Sequence, residues 1–240
     1  MADGSSARSG GRWKTRLWRV CDRSVAELGL DHASIGIATG ARAWEAGAAT
    51  SEVASELEEY AFTVGEGPCF DALEDHAPIV AVDHETQDAA QRWPAWTDVA
   101  ARLGIRSATA LPIEAGAITA GVLSAYSSSE WQATPRRMDI ARSLVDAALV
   151  VLLDMALSLA DPAEADELAE DGRPGDLSVL LRGDVHRAAG MVMVQADVSI
   201  DQALARLRAY AFATARPLPD VAADVLSRRI RFDADRGAAQ

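Results

Sequence analysis

The sequence predicts an α+β domain, an antiparallel sheet flanked by helices, followed by a small all-α three-helix bundle. Three observations predict it. Up to about residue 160, short β-branched runs and amphipathic helical runs alternate irregularly with hairpin-like joins, unlike the regular alternation of a parallel sheet. Residues 161–176 then read DPAEADELAEDGRPGD, acidic, broken by Pro and Gly and without an apolar period. The rest of the chain carries three helical apolar stripes.

Each element has its own signal. Leu17, Val20, Cys21, Val25 and Leu28 share a helical period that ends at Gly29, a natural left-handed C-cap. Ala33–Thr39 and Ala43–Ala48 read as a strand pair, and Ser51 is a candidate N-cap for a helix reaching Tyr60. Gly65 to Leu73 packs two glycines and a proline into a tight loop leading into a helix. Pro78–Val82 is a short strand, and a helix within Asp88–Leu103 starts near Pro94, since proline suits a first helical turn. Ile105–Ile113 and Ala117–Ser127 are strands joined through Glu114, Ala115 and Gly116. A long helix from Pro135 to Ala160 closes the unit.

In the bundle, the first stripe is Leu177, Leu181, Val185, Ala188, Val192 and the third Leu218, Val221, Ala222, Val225, Leu226. Between them Ser199-Ile200-Asp201-Gln202 reads as a capping box opening the second helix, with Ala203, Leu204, Leu207 and Ala211 on its apolar face. The expected organisation is therefore a disordered arm over 1–12, a domain over 13–160, an acidic linker over 161–176, a bundle over 177–232 and a tail over 233–240.

Two apolar stripes run along the Pro135–Ala160 helix: Leu144, Ala148, Val151, Met155 and Val145, Leu149, Leu152, Ala156, Leu159. Either one stripe serves its own domain and the other meets a second copy of the chain in coiled-coil fashion, or the helix is fully buried within one monomer. Arg142, Asp146 and Asp154 exclude a membrane span there, because each aspartate costs roughly 2.5–3.5 kcal/mol at a bilayer centre. Two cysteines and a polar N-terminus without an apolar core point to a cytoplasmic location.

The net charge of −13 argues against a nucleic-acid partner until its distribution is read. From Asp176 onward nine arginines face eight aspartates, a net of +1, so the acidity belongs to the first domain. An RNA site in the bundle must then rest on local arginine geometry. No P-loop or dinucleotide fingerprint occurs, and His32, His76, His84 and His186 form no metal-spaced set with Cys21 or Cys69. No cofactor and no metal are expected. Glu56, Glu58 and Glu59 read as a solvated helix face, and the six tryptophans all precede the linker, where they can close a core or line a cavity.

The run Gly65-Glu66-Gly67-Pro68-Cys69-Phe70-Asp71-Ala72-Leu73, with Arg92-Trp93-Pro94, Gly104-Ile105-Arg106-Ser107, Leu111-Pro112-Ile113 and Gly121 to Tyr126, resembles the GAF domains fused to RNA-binding modules in bacterial regulators. The segments Arg187 to Met193, Ser199 to Ala203, Leu207-Arg208, Ala211 and Arg216 to Ala222 resemble the ANTAR domain. The resemblance implies a GAF sensor responding to an unknown small-molecule or redox signal. Its output is a dimeric bundle that binds paired small RNA stem-loops in nascent transcripts and acts in transcription antitermination, without enzymatic activity. Candidate RNA-binding residues are Arg182, Arg187, Gly190, Arg208 and Arg216, since arginine binds phosphate with a planar fork and stacks on unpaired bases. Ala189 stands where the family commonly has lysine, so a contact is expected to be missing. Two other readings remain: an interaction module whose bundle has lost RNA binding, and a thiol enzyme on the GAF fold using Cys69, which requires a low-pKa thiolate.

Overall fold

The computed structural model describes residues 10–40, 43–83, 86–116, 118–160, 177–214 and 216–232. The expected linker, the tail and most of the expected arm lie outside the described residues. The chain divides into two compact units, Met1–Phe62 with Glu66–Arg173, and Thr63–Gly65 with Pro174–Gln240.

In the first unit, α1 (Gly10–Leu28) leads into β1 (His32–Gly40), β2 (Ala43–Ala49), α2 (Glu52–Val64), α3 (Pro68–Glu74) and β3 (Ile79–Asp83). Then come α4 (Gln87–Arg92), α5 (Pro94–Arg102), β4 (Ser107–Ala115), β5 (Ile118–Ser127) and α6 (Pro135–Ala160). The strands form one sheet in the order β2-β1-β5-β4-β3, every pair antiparallel. The expected α+β class therefore holds. Helix α1 starts at Gly10, inside the stretch expected to be a disordered arm; the helix expected to start near Pro94 is α5, and a further short helix, α4, precedes it. Thr86 caps α4 through its hydroxyl, which accepts from the Ala89 N–H (3.3 Å), and Trp93 ends α4 and begins α5.

Strand alternation gives the sheet two buried faces. On one, Ile35, Leu111, Ile113, Leu123 and Ala125 pack with Leu17 and Cys21 of α1 and Leu144, Ala148, Val151 and Leu152 of α6. Each such buried leucine or valine contributes roughly 1.5–3 kcal/mol. The first stripe and the Val145, Leu149 and Leu152 part of the second are thus engaged within the domain, while Ala156 is exposed. The apolar residues that α6 exposes form a different line, Val150, Leu153 and Leu157, at spacings of three and four. Extra width of apolar surface is what the sequence shows; which residues face outward depends on how α6 is rotated against α1.

The second unit contains α7 (Leu177–Ala196), α8 (Ile200–Ala213) and α9 (Leu218–Leu226). Its core joins Val185, Ala188, Ala189 and Val192 to Ala203, Leu204 and Leu207 and to Leu218, Val221, Ala222 and Val225. The capping box is formed: the Gln202 N–H donates to Ser199 Oγ (3.3 Å) and the Ser199 N–H to Gln202 Oε1 (3.1 Å). Such a cap stabilises a helix by about 1 kcal/mol. Ala188 and Ala189 of α7 and Ala203 and Ala211 of α8, all buried, leave little side-chain bulk between the helices.

Candidate functional site

The second face of the sheet carries Ser34, Gly36, Ser124 and Tyr126, with Ser34 opposite Ser124 and His32 opposite Tyr126. Trp44 of β2 lies across Gly36: a Cβ there would come within 2.5 Å of the indole, so the glycine makes room for the ring. Phe62 of α2 and Phe70 of α3 meet Trp44 edge-on, at centroid distances of 6.0 and 4.4 Å. Into this aromatic layer α2 inserts a carboxylate. Glu58, 4% exposed, accepts from Ser34 Oγ (2.9 Å), Trp44 Nε1 (2.7 Å) and Tyr126 OH (3.3 Å).

Glu58 therefore does not lie on a solvated face. The signal was available: Ala54, Leu57, Glu58, Ala61 and Phe62 follow the i, i+3, i+4, i+7, i+8 spacing of one buried helix face. Reading the three glutamates as one charged group hid that period. A carboxylate is tolerated there because three donors from three strands satisfy it, as buried charge requires. Its surroundings respond. Burial first, and the Glu58 charge second, push the Tyr126 phenol well above its ordinary pKa. The same two causes push the Cys21 thiol up to about 12. Beside this network the indole N–H groups of Trp93 and Trp96 are buried without a hydrogen-bond partner, and the Trp96 ring lies 6.5 Å from Tyr126.

The glycine loop positions these tryptophans. Glu66 caps α5, accepting from the N–H groups of Ala95 (2.6 Å) and Trp96 (3.0 Å), where the helix dipole favours a negative charge. Gly67 takes φ 137°, and a Cβ on it would lie 3.0 Å from the Trp96 indole. Asp71 of α3 holds Arg92 at 2.5 Å, and the Arg92 guanidinium stacks 4.7 Å over Trp93. The two motifs, Gly65 to Leu73 and Arg92-Trp93-Pro94, are thus halves of one interlock. Cys69 is 2% exposed within it and Cys21 is fully buried on the other face, its Sγ 3.8 Å from the Ala48 carbonyl. A shallow open concavity lined by Lys14, Thr15, Trp18, Gly47 and Ala48 holds none of these groups. Among the described residues no cluster of His, Cys, Asp and Glu could hold a metal, and no helix is long and apolar enough to cross a membrane.

On the bundle, Arg187 is exposed on α7 and pairs with Asp184 one turn back. Gly190, in the same helix, has open space where a Cβ would stand. Arg208 is half-buried on α8. Arg216 precedes α9 and donates to Asp224 Oδ2 at 2.7 Å. Arg182 belongs to α7, but its side chain lies outside the described residues. Ala189, which stands where the family commonly has lysine, is 0% exposed in the bundle core.

A five-stranded antiparallel sheet with helices on both faces, followed by a three-helix unit, makes a two-domain α+β and all-α chain. The chain belongs to the GAF family, whose family model (GAF domain) matches residues 14–152, and a second model, the ANTAR domain, matches residues 180–226. No curated protein matches. Among solved structures, the GAF domain of a phosphoenolpyruvate-protein phosphotransferase from Coxiella burnetii is 17% identical, with 65% of this chain and 90% of that one covered and a TM-score of 0.47. A type II free methionine-R-sulfoxide reductase from Thermoplasma acidophilum is 10% identical over 60% of this chain and 95% of that one, with a TM-score of 0.45.

Proposed function

We propose that this chain is a signal-responsive RNA-binding regulator of transcription antitermination, in which the GAF domain controls the ANTAR domain. The observation that carries the reading is the order of the two matched domains on one chain, 14–152 and then 180–226. The Glu58 network, with the two buried indole donors beside it, is the element through which a small molecule could act, because a ligand supplying acceptors would satisfy groups now without partners. The RNA surface is built from Arg187, Arg208 and Arg216, in a bundle whose near-neutral charge opposes phosphate far less than the acidic first domain does.

The protein is read as non-enzymatic and cytoplasmic. A thiol mechanism on this fold would need the Cys69 thiol open to substrate, and Cys69 is 2% exposed. The chain acts as a homodimer through the exposed line Val150, Leu153 and Leu157 of α6. The reading is tested by gel shift with an RNA of two tandem stem-loops at defined salt. Replacing Arg187 and Arg216 together with alanine should weaken binding at least tenfold, at roughly 1.5–3 kcal/mol per charge-assisted contact. Binding unchanged in the double variant would remove these residues from the interface, and a parent chain that binds no RNA at low salt would turn the bundle into a protein-interaction module.

A further inference from the structure

The ANTAR match ends at residue 226, but the ordered bundle does not. After α9 the chain reverses: Arg228 takes a left-handed φ of 61°, and the N–H groups of Arg229 (2.8 Å) and Ile230 (3.2 Å) both donate to the Asp224 carbonyl. The reversal sends Ile230 and Phe232, each 6% exposed, into the bundle. The Phe232 N–H donates to Gln195 Oε1 of α7 (3.0 Å), and its ring meets Tyr210 of α8 edge-on at 5.8 Å. Residues 227–232 are thus a strap tied to all three helices.

The strap brings a second guanidinium to Asp224. Arg229 donates to Oδ1 from Nε (2.7 Å) and Nη2 (2.5 Å), while Arg216, from the other end of α9, donates to Oδ2 (2.7 Å). Two cations share one carboxylate, and the Asp220 charge also acts on Arg216. Asp224 is mostly covered at 15% side-chain exposure, whereas Arg216 keeps 37% and Arg229 67%. Each guanidinium has five N–H donors, and the carboxylate engages one of Arg216 and two of Arg229. Long side chains normally lose rotamer freedom when they bind, and here part of that ordering is already done.

We propose that Arg216 and Arg229, locked side by side by Asp224, form a preorganised phosphate fork, so that the RNA interface extends beyond the ANTAR match onto the strap at 227–232. This rests on the RNA-binding reading above. Asp224 acts in it as a positioning residue: it holds two guanidiniums within reach of adjacent phosphate oxygens and touches no RNA itself. Arginine rather than lysine suits the task, because its planar fork can serve a carboxylate on one edge and a phosphate on another.

The experiment uses the full-length chain. RNA is first enriched by this protein from a library of two tandem stem-loops with randomised loops, and the enriched RNA is then titrated at about 50 and 200 mM salt against single variants. Arg229→Ala should weaken binding at least fivefold and lower the salt slope by about 0.7–0.9, the value of one phosphate contact. Arg229→Lys, which keeps the charge and a donor for Asp224, should lose less, and it guards against a strap that unfolds in the alanine variant. Asp224→Asn separates orientation from charge: removing a negative charge beside RNA would tighten binding if charge alone mattered, whereas the fork requires binding about threefold weaker with the salt slope kept. Parent-like affinity of Arg229→Ala beside a weakened Arg187→Ala would overturn the fork while leaving RNA binding intact. Tighter binding by Asp224→Asn would also overturn it. A library that yields no enriched RNA would remove the RNA reading itself, and the fork with it.

Discussion

Glu58 and Asp224 are both carboxylates that gather donors from separate segments, yet they do so in opposite settings. Glu58, 4% exposed, collects neutral donors from Ser34, Trp44 and Tyr126 beneath a sheet. Asp224, on the rim of a helical bundle, collects two guanidiniums that remain partly in solvent. The difference lies in what each loses when the carboxylate goes. Without Glu58 three buried donors lose their charged acceptor, and a buried donor left unsatisfied costs about 1–3 kcal/mol. Without Asp224 two arginines are released to water at small cost, so its influence falls on orientation. The GAF site is coupled to folding; the bundle site, on the proposed RNA-binding reading, is coupled to binding.

The largest expected effect follows from the first half of that comparison. Glu58→Leu should destabilise the GAF unit by at least about 3 kcal/mol, since the Ser34, Trp44 and Tyr126 donors all lose their acceptor. Glu58→Gln, which keeps one carbonyl oxygen, should cost less. Urea unfolding followed by tryptophan emission reads this unit alone, because all six tryptophans precede residue 161. A loss under about 1 kcal/mol in the leucine variant would break the claim that the network is tied to folding.

The second prediction asks whether a buried and an exposed residue close together on α6 behave as differently as the two carboxylates. Leu153→Glu with Leu157→Glu should turn a dimer into a monomer in sedimentation velocity while the circular dichroism of the folded chain is kept, since neither side chain packs in the domain core. Val151→Glu, at 5% exposure against Leu144 and Ala148, should instead unfold the domain, because an unpaired charge is buried. A parent chain that is monomeric at micromolar concentration would leave the exposed line without a second copy to cover it.

The same contrast explains what could be read from the sequence. Helix ends were legible wherever a local rule fixes them, as at the Ser199–Gln202 box, Gly29 and Pro135, and so were the strands whose β-branched runs stop at turn residues. The start of α5 at Pro94 was legible in the same way, but α4 before it was not, because its six residues are too few to show a helical period. Glu58 was legible in principle from the period of α2. The Arg216–Asp224–Arg229 cluster was not: it depends on the left-handed Arg228, and no sequence rule places that conformation at an arginine. The outward line of α6 and the burial of Ala189 likewise depend on helix rotation, which side-chain packing decides.

A smaller effect sharpens the chemistry of the GAF interior. With its thiol pushed up to about 12, chiefly by burial, Cys21 should hold about one thiolate in ten thousand at pH 8, and the thiolate is the reactive form. Iodoacetamide at pH 8 should therefore leave Cys21 unlabelled in the folded chain and label it in urea, as peptide mass spectrometry would show. The linked stability has a definite sign. The folded state holds its thiol proton above the ordinary range near pH 8.5 while the unfolded state releases it, so stability falls as the pH climbs through that range. Rapid labelling of Cys21 in the folded chain would show that burial does not hold its proton.

The smallest expected effect belongs to Asp224 and tests the exposed half of the comparison by pH. The hydrogen bond from Arg216, then that from Arg229, holds its carboxyl below the usual carboxylate range. A group with a depressed folded pKa contributes its stability fully above the unfolded value, near 3.9, and loses it as the pH falls through the folded value, because the unfolded chain takes up the proton first. Protection of the α9 amides against hydrogen exchange, corrected for the intrinsic rate at each pH, should therefore drop below about pH 4 in the parent, and Asp224→Asn should lack that portion of the drop. Because both guanidiniums stay partly solvated, the difference between parent and variant should be modest and should shrink in added salt, as exposed ion pairs are screened. A drop of equal size in Asp224→Asn would assign the acid sensitivity to other carboxyls of the bundle, Asp184 beside Arg187 first among them, and would show that the two guanidiniums are not held by Asp224 strongly enough to matter to the fold.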